Sequence, residues 1–139
     1  MLRGILETVL YVDDLAAAET FYAGVLDLEV DSRKEGLFIF FRLDQAMLLV
    51  FQRAAARESR GVPSHGTDGS GHACFKVPEA ELAAWEQRLT RHGIAIEQRQ
   101  AWPRGGRSFY FRDPDGNSLE IATPLIWGFP DCPQAGDNN

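Results

Sequence analysis

Residues 5 to 12, ILETVLYV, are dense in apolar and β-branched types and stop at Asp13-Asp14, a pair suited to capping a helix. This predicts a strand followed by a helix. From Leu15 the apolar positions Leu15, Ala18, Phe21, Tyr22, Val25 and Leu26 recur at the three and four residue spacing of one helical face, with Gly24 and Asp27 weakening the last turn. Three β-type runs follow, Leu28 to Val30, Gly36 to Leu43 and Ala46 to Phe51, the last two joined tightly at Asp44-Gln45. Residues 53 to 69 then lose periodicity and collect Ala, Arg, Gly, Ser, Pro and Asp, the composition of a surface linker.

The order repeats after that linker. HACFKV, 72 to 77, reads as a strand. Pro78 and Glu79 open a helix with Leu82, Trp85 and Leu89 on its inner face, and Gly93 closes it. Ile94 to Gln98, Arg107 to Arg112 and Ser118 to Thr123 read as three more strands. Val12 and Val77 each end a strand just before a helix, so the chain reads as a duplication with a period of about sixty-five residues. Either module alone leaves one face of its sheet bare. The expected fold is therefore α+β: two tandem βαβββ modules forming a curved, cup-shaped mixed sheet with helices on the outer face. The expected organisation is one domain over residues 1–126, with module one at 4–52, the linker at 53–69 and module two at 70–124. A weakly ordered tail follows at 127–139.

A length of 139 residues fits one domain that needs no covalent staples. A 45% hydrophobic share with 24% charged residues is that of a folded soluble protein. The formal charge of −6, without a Lys/Arg cluster, excludes a nucleic-acid footprint, which needs clustered cations. Arg53, Arg57 and Arg60 are interleaved with alanines and Glu58 and read as a solvated loop. No apolar run approaches the roughly 20 residues of a membrane span, and the first residues lack a signal-peptide core, so a cytoplasmic protein is expected. Cys74 and Cys132, the only cysteines, do not suggest a disulfide framework.

Three ionisable residues sit among apolar neighbours on strands. Glu7 shares a strand face with Val9 and Tyr11, His72 with Cys74, and Glu120 with Ser118 and Ala122. Buried charges are normally paired or bound to metal. Glu7 and His72 stand at matching repeat positions, five residues before Val12 and Val77, while the counterpart of Glu120 in module one is Leu49. Two pseudo-symmetric strands with a third beside them can aim all three at one divalent ion, leaving coordination positions open as catalytic sites do. One imidazole and two carboxylates suit zinc, nickel, manganese or iron(II), and the ligand set does not choose among them. Taken singly, each residue also reads as a hydrogen-bonded core or edge residue.

The segments ETVLYVDDLAAAETFYAGVLDLEV, GHACFKV and YFRDPDGNSLEIAT resemble the signature segments of the vicinal oxygen chelate superfamily, which spans glyoxalases, bleomycin-resistance proteins and extradiol dioxygenases. The resemblance covers residues 4 to 124. It implies metal ligands at Glu7, His72 and Glu120, and a Leu49 where glyoxalase I carries a further Glu. It also implies a metal-dependent lyase or isomerase acting on a small oxygenated substrate, with Glu7 or Glu120 moving a proton, and, by family analogy, a homodimer. Arg104 and Arg107 would bind an acidic group of the substrate, and Phe38, Trp102 and Tyr110 would line the cup beside Phe40. The alternatives are a metal-free drug- or metabolite-binding protein of the bleomycin-resistance type, a ring-cleaving dioxygenase, or a fosfomycin-type thiol transferase. Residues 101 to 106, AWPRGG, lack the His that the dioxygenase pattern places before Tyr110, and the thiol-transferase pattern is incomplete here.

Overall fold

The protein is described by a computed structural model over residues 1–134. Its contacts divide the chain into two units. The first holds Met1–Gly71 together with Asp113–Asn117; the second holds His72–Arg112 and the chain from Ser118 onward. Each unit contains one four-stranded mixed sheet.

In the first unit, β1 (Glu7–Val12), β2 (Glu29–Lys34), β3 (Phe38–Arg42) and β4 (Met47–Gln52) pair in the order β1-β4-β3-β2. β1 runs parallel to β4 and the other pairs are antiparallel. Alternation with period two turns Leu10, Val12, Ile39, Phe41, Leu48 and Val50 to one face, each at most 4% exposed. Helix α1 (Leu15–Glu19) begins at Asp14, whose carboxylate accepts from the Ala17 amide. It continues through wider, π-type turns over Thr20–Val25. These helical turns bring Ala18, Phe21, Tyr22 and Val25 into the core, where the Tyr22 ring lies 5.6 Å from that of Phe41. The Leu26 amide reaches back to the Phe21 carbonyl, and Asp27 takes a left-handed φ of 58° to end the segment. The regular helix expected from the apolar spacing is thus widened where Gly24 offers no side chain to hold it.

In the second unit, β5 (His72–Lys76), β6 (Gln98–Ala101), β7 (Arg107–Arg112) and β8 (Ser118–Ala122) pair in the order β5-β8-β7-β6, again with the first pair parallel. Phe109, Phe111, Leu119 and Ile121 share the buried face. Helix α3 (Leu82–Arg91) lies on that side, because Arg99, in register with Phe109, donates to Glu86 of the helix at 2.7 Å. Leu82 and Leu89 are its buried residues. The βαβββ order expected from the sequence therefore holds in both units, and the class is α+β.

Three details differ from the expectation. β2 is longer than Leu28 to Val30 and mostly exposed; it is an edge strand with a bulge between Val30 and Ser32, and its polar EVDSRK sequence hides it from a hydrophobic pattern. β6 begins only at Gln98, where pairing with Tyr110 starts, so its position is set by β7 and not by its own alternation. The linker holds a short helix, α2 (Arg53–Ala56), capped by the Gln52 side chain. The tail is placed in part: Asp131 accepts from the Glu79 amide, and residues 135–139 lie outside the described residues.

Arg53, expected in a solvated loop, is only 16% exposed at its side chain. Its guanidinium donates to Asp115 (2.7 Å), Asp13 (3.2 Å) and the carbonyls of Thr67, Gly69 and Tyr11. The Asp113-Pro-Asp-Gly-Asn117 turn is just as densely bonded. Asp113 accepts from the Tyr22 hydroxyl at 2.7 Å, from the Asn117 side chain at 2.8 Å, and from the backbone amides of Asp115 and Asn117. Asn117 in turn holds the Gly71 amide and the Tyr11 carbonyl. Burial, and then the neighbouring Asp113, pushes the Tyr22 hydroxyl well above its ordinary pKa of 10.

Candidate metal and substrate site

The face of the second sheet opposite α3 is polar. Register places His72 opposite Ser118, Cys74 and Tyr110 on either side of Glu120, and Gln98 beside Tyr110. Period two fixes this set once β5 and β8 are parallel neighbours, which brings a residue of the unit's first strand next to one of its last.

Glu120 is 5% exposed, and its Oε1 is buried with no hydrogen-bond partner among the described residues. Its Oε2 lies 3.5 Å from His72 Nε2. The other nitrogen of His72, Nδ1, lies 2.9 Å from the Ser118 carbonyl. A carbonyl only accepts, so Nδ1 carries a proton and Nε2 is the nitrogen turned to the carboxylate. Nε2 and the carboxylate stand close enough to ligate one cation together. Fixing a histidine through Nδ1 to a carbonyl is also the usual support of a metal-ligating imidazole. His72 is half exposed, which leaves an approach from solvent.

Two neighbours respond to this carboxylate. Burial, reinforced by Glu120, pushes the Cys74 thiol up to about 12, and burial together with a hydrogen bond to Glu120 raises the Tyr110 hydroxyl. Both remain protonated at neutral pH. Cys74 as a whole residue is exposed, while its thiol lies low on the sheet face against Glu120. The Tyr110 ring stacks loosely with His72, centroids 6.3 Å apart. Tyr110 and Trp102 line a shallow pocket of about 290 Å³ with Glu97, Gln98, Gln100 and Ser118, and the Trp102 indole donates to Ser108 at 2.9 Å.

The remaining candidates lie elsewhere. Arg107 alternates onto the face of Phe109 and Phe111 and donates to Glu79 at 2.8 Å. Arg104 is exposed in the turn after β6, its chain close against Gly128. Glu7 and Phe38 belong to the first unit: Glu7 is exposed on β1, and Phe38 stacks on Phe40 at 3.9 Å on the sheet face away from α1. Leu49 and Phe51 form the buried centre of that apolar face, with Val9, Tyr11, Phe40 and Met47 packed around them. Among the described residues no cluster of three or more His, Cys, Asp and Glu side chains suited to a metal ion is present; His72 and Glu120 are a pair. Among the described residues, too, no helix is long and apolar enough to cross a membrane.

Sequence reasoning missed His65 and Arg60, which cover part of the first unit's apolar face, because nothing periodic surrounds them. His65 bonds the Tyr11 hydroxyl through Nδ1 and Arg60 through Nε2.

Two βαβββ units, one of them carrying a His and a buried unsatisfied Glu on adjacent parallel strands, define a duplicated α+β class built around an open sheet face. Residues 4–121 match the family model of the Glyoxalase/Bleomycin resistance protein/Dioxygenase superfamily, and the chain belongs to that superfamily. It is similar in structure to a lactoylglutathione lyase from Agrobacterium tumefaciens, with a TM-score of 0.88 and 39% identity over 92% of this chain and 98% of that one. Curated relatives include glutathione transferase FosA of Serratia marcescens, 31% identical over 87% of this chain and 81% of that protein. Metallothiol transferase FosB of Staphylococcus saprophyticus is 29% identical over 91% of this chain and 80% of that protein. All three are named as enzymes.

Proposed function

We propose that the protein is a divalent-metal-dependent enzyme of glyoxalase-like type, acting on a small oxygenated substrate by lyase or isomerase chemistry. The observation that carries this reading is the buried Oε1 of Glu120, without a hydrogen-bond partner among the described residues, beside a histidine whose Nε2 lies 3.5 Å from the same carboxylate. His72 and Glu120 would hold the ion, which can be zinc, nickel, manganese or iron(II), with Glu7 of β1 as third ligand from this chain or from a second copy in a homodimer. A bound ion supplies a Lewis acid for a substrate carbonyl or epoxide oxygen.

The chain's own groups do the rest. Tyr110, its hydroxyl held protonated beside Glu120, presents its ring to the substrate. Glu7 or Glu120 carries a proton between neighbouring substrate atoms. Trp102 lines the same pocket as Tyr110. Arg104 remains available to an acidic group of the substrate, whereas Arg107, held by Glu79 on the opposite sheet face, is left out of the proposed set.

The test is elemental analysis of purified wild type beside His72→Ala and Glu120→Ala. Near-stoichiometric metal in the wild type and strong loss in both variants is the expected result. Equal content in all three rejects the ligand assignment, and a metal-free wild type turns the reading to a small-molecule binder of the bleomycin-resistance type.

The names of the curated relatives favour a second reaction on the same site, thiol transfer to a small substrate, for which an epoxide is the probe. Turnover of an epoxide with glutathione or another low-molecular-weight thiol, against turnover of the hemithioacetal of methylglyoxal, separates the two.

A further inference from the structure

The apolar face of the first sheet carries a polar chain that the proposed chemistry does not use. Arg60 Nη2 lies 3.0 Å from His65 Nε2, and His65 Nδ1 lies 2.5 Å from the Tyr11 hydroxyl. A guanidinium only donates, so Nε2 of His65 accepts and the ring proton sits on Nδ1. That N–H then donates to the Tyr11 oxygen. The Tyr11 hydroxyl has its acceptor capacity engaged from behind, and its own hydrogen is left to point to another acceptor.

Each member is held in place. Arg60 bonds the Ala56 carbonyl at 2.7 Å and lies over the Phe51 ring, 5.1 Å from its centroid. The His65 amide donates to the Ala56 carbonyl, and its ring meets Phe51 edge-on at 4.8 Å. Tyr11, half-buried, packs with the part-exposed rings of Phe38 and Phe40 around the buried Phe51. Burial, opposed by Arg60 and Arg57, raises the Tyr11 hydroxyl, so it is a donor at neutral pH.

We propose that Tyr11, oriented by His65 and Arg60, donates a hydrogen bond to an acceptor oxygen of a ligand whose apolar, flat body lies against Phe38 and Phe40. Tyr11 is a binding residue; His65 and Arg60 are positioning residues. The ligand class is a flat, apolar molecule bearing an acceptor oxygen.

The test uses the full chain stripped of metal with a chelator, so that failure of the metal assignment does not touch it. Acetophenone and ethylbenzene, with similar apolar bodies but only one acceptor oxygen between them, are titrated and followed by NMR. The wild type binds acetophenone about fivefold more tightly, the worth of one hydrogen bond. Tyr11→Phe reduces this ratio to about one while ethylbenzene binding stays the same, which shows the face intact. His65→Asn, whose side-chain N–H can replace Nδ1–H, retains the preference, and His65→Leu loses it with ethylbenzene binding unchanged. Equal binding of the two probes or no binding of either by the wild type, a preference that survives Tyr11→Phe, or a loss of both probes in His65→Leu overturns the proposal.

Discussion

Replacing Glu120 with Met tests whether its carboxylate is waiting for a cation. Glu120 is 5% exposed and Oε1 has no partner among the described residues, a condition that costs about 1–3 kcal/mol in a folded chain. Methionine has a similar volume and no hydrogen-bonding group that needs satisfying, so it removes that cost without opening a cavity. Against the gain stands the hydrogen bond of Tyr110, worth about 1 kcal/mol and in part replaceable by water at that half-exposed position. The net gain is about 1–2 kcal/mol. With the unfolding entropy of a chain this long, each kcal/mol moves Tm by about 3 °C, so the metal-free variant melts roughly 3–6 °C above the wild type. Metal reverses the order: at a hundredfold excess over Kd the wild type gains about 2.7 kcal/mol and the variant nothing. Scanning calorimetry in chelator, then with zinc, nickel or manganese, reads both halves. A variant that melts below the wild type in chelator refutes the reasoning, since Glu120 would then be compensated within the fold.

Two further outcomes follow from the first unit. Tyr22 holds its proton far above the ordinary 10 while an unfolded tyrosine ionises there; its contribution is whole below about pH 10 and is lost as pH rises, at about 1.4 kcal/mol per unit. Stability measured by urea unfolding between about pH 10 and 11 therefore falls more steeply in wild type than in Tyr22→Phe, and equal slopes contradict the buried-phenol argument. Arg53→Ala removes a nearly buried guanidinium from Asp115 and three carbonyls and costs about 2–3 kcal/mol. Limited trypsin digestion should then cut after Arg57 and Arg60 much faster than in wild type, and an unchanged rate means that Arg53 does not hold the segment.

The helix faces and inner strands were legible because each has a strong period and a buried side. Phe21, Tyr22, Phe41, Leu48, Phe109 and Leu119 all declare themselves this way. Edge strands did not: β2 is mostly exposed, and β6 takes its place from its partner. Of the site, His72 and Glu120 stood out as polar residues on apolar strands, and they do meet. Arg53, Arg60 and His65 gave no signal, because their roles come from contacts between positions that are separated along the chain and carry no periodic pattern. Arg107 showed the limit of composition alone, since alternation along β7 turns it away from Tyr110.

The turn at Asp113–Asn117 belongs to the first unit although it lies near the end of the chain. Tyr22 meets Asp113 across 91 residues, so the phenol that is fully enclosed in the first core finds its acceptor only after most of the polypeptide exists. A ribosome-bound fragment ending before residue 113 would hold an interior hydroxyl with nothing to receive its proton. Completion of the first unit thus waits for this turn to be made, and the folding rate should carry the slow signature of a long closed loop.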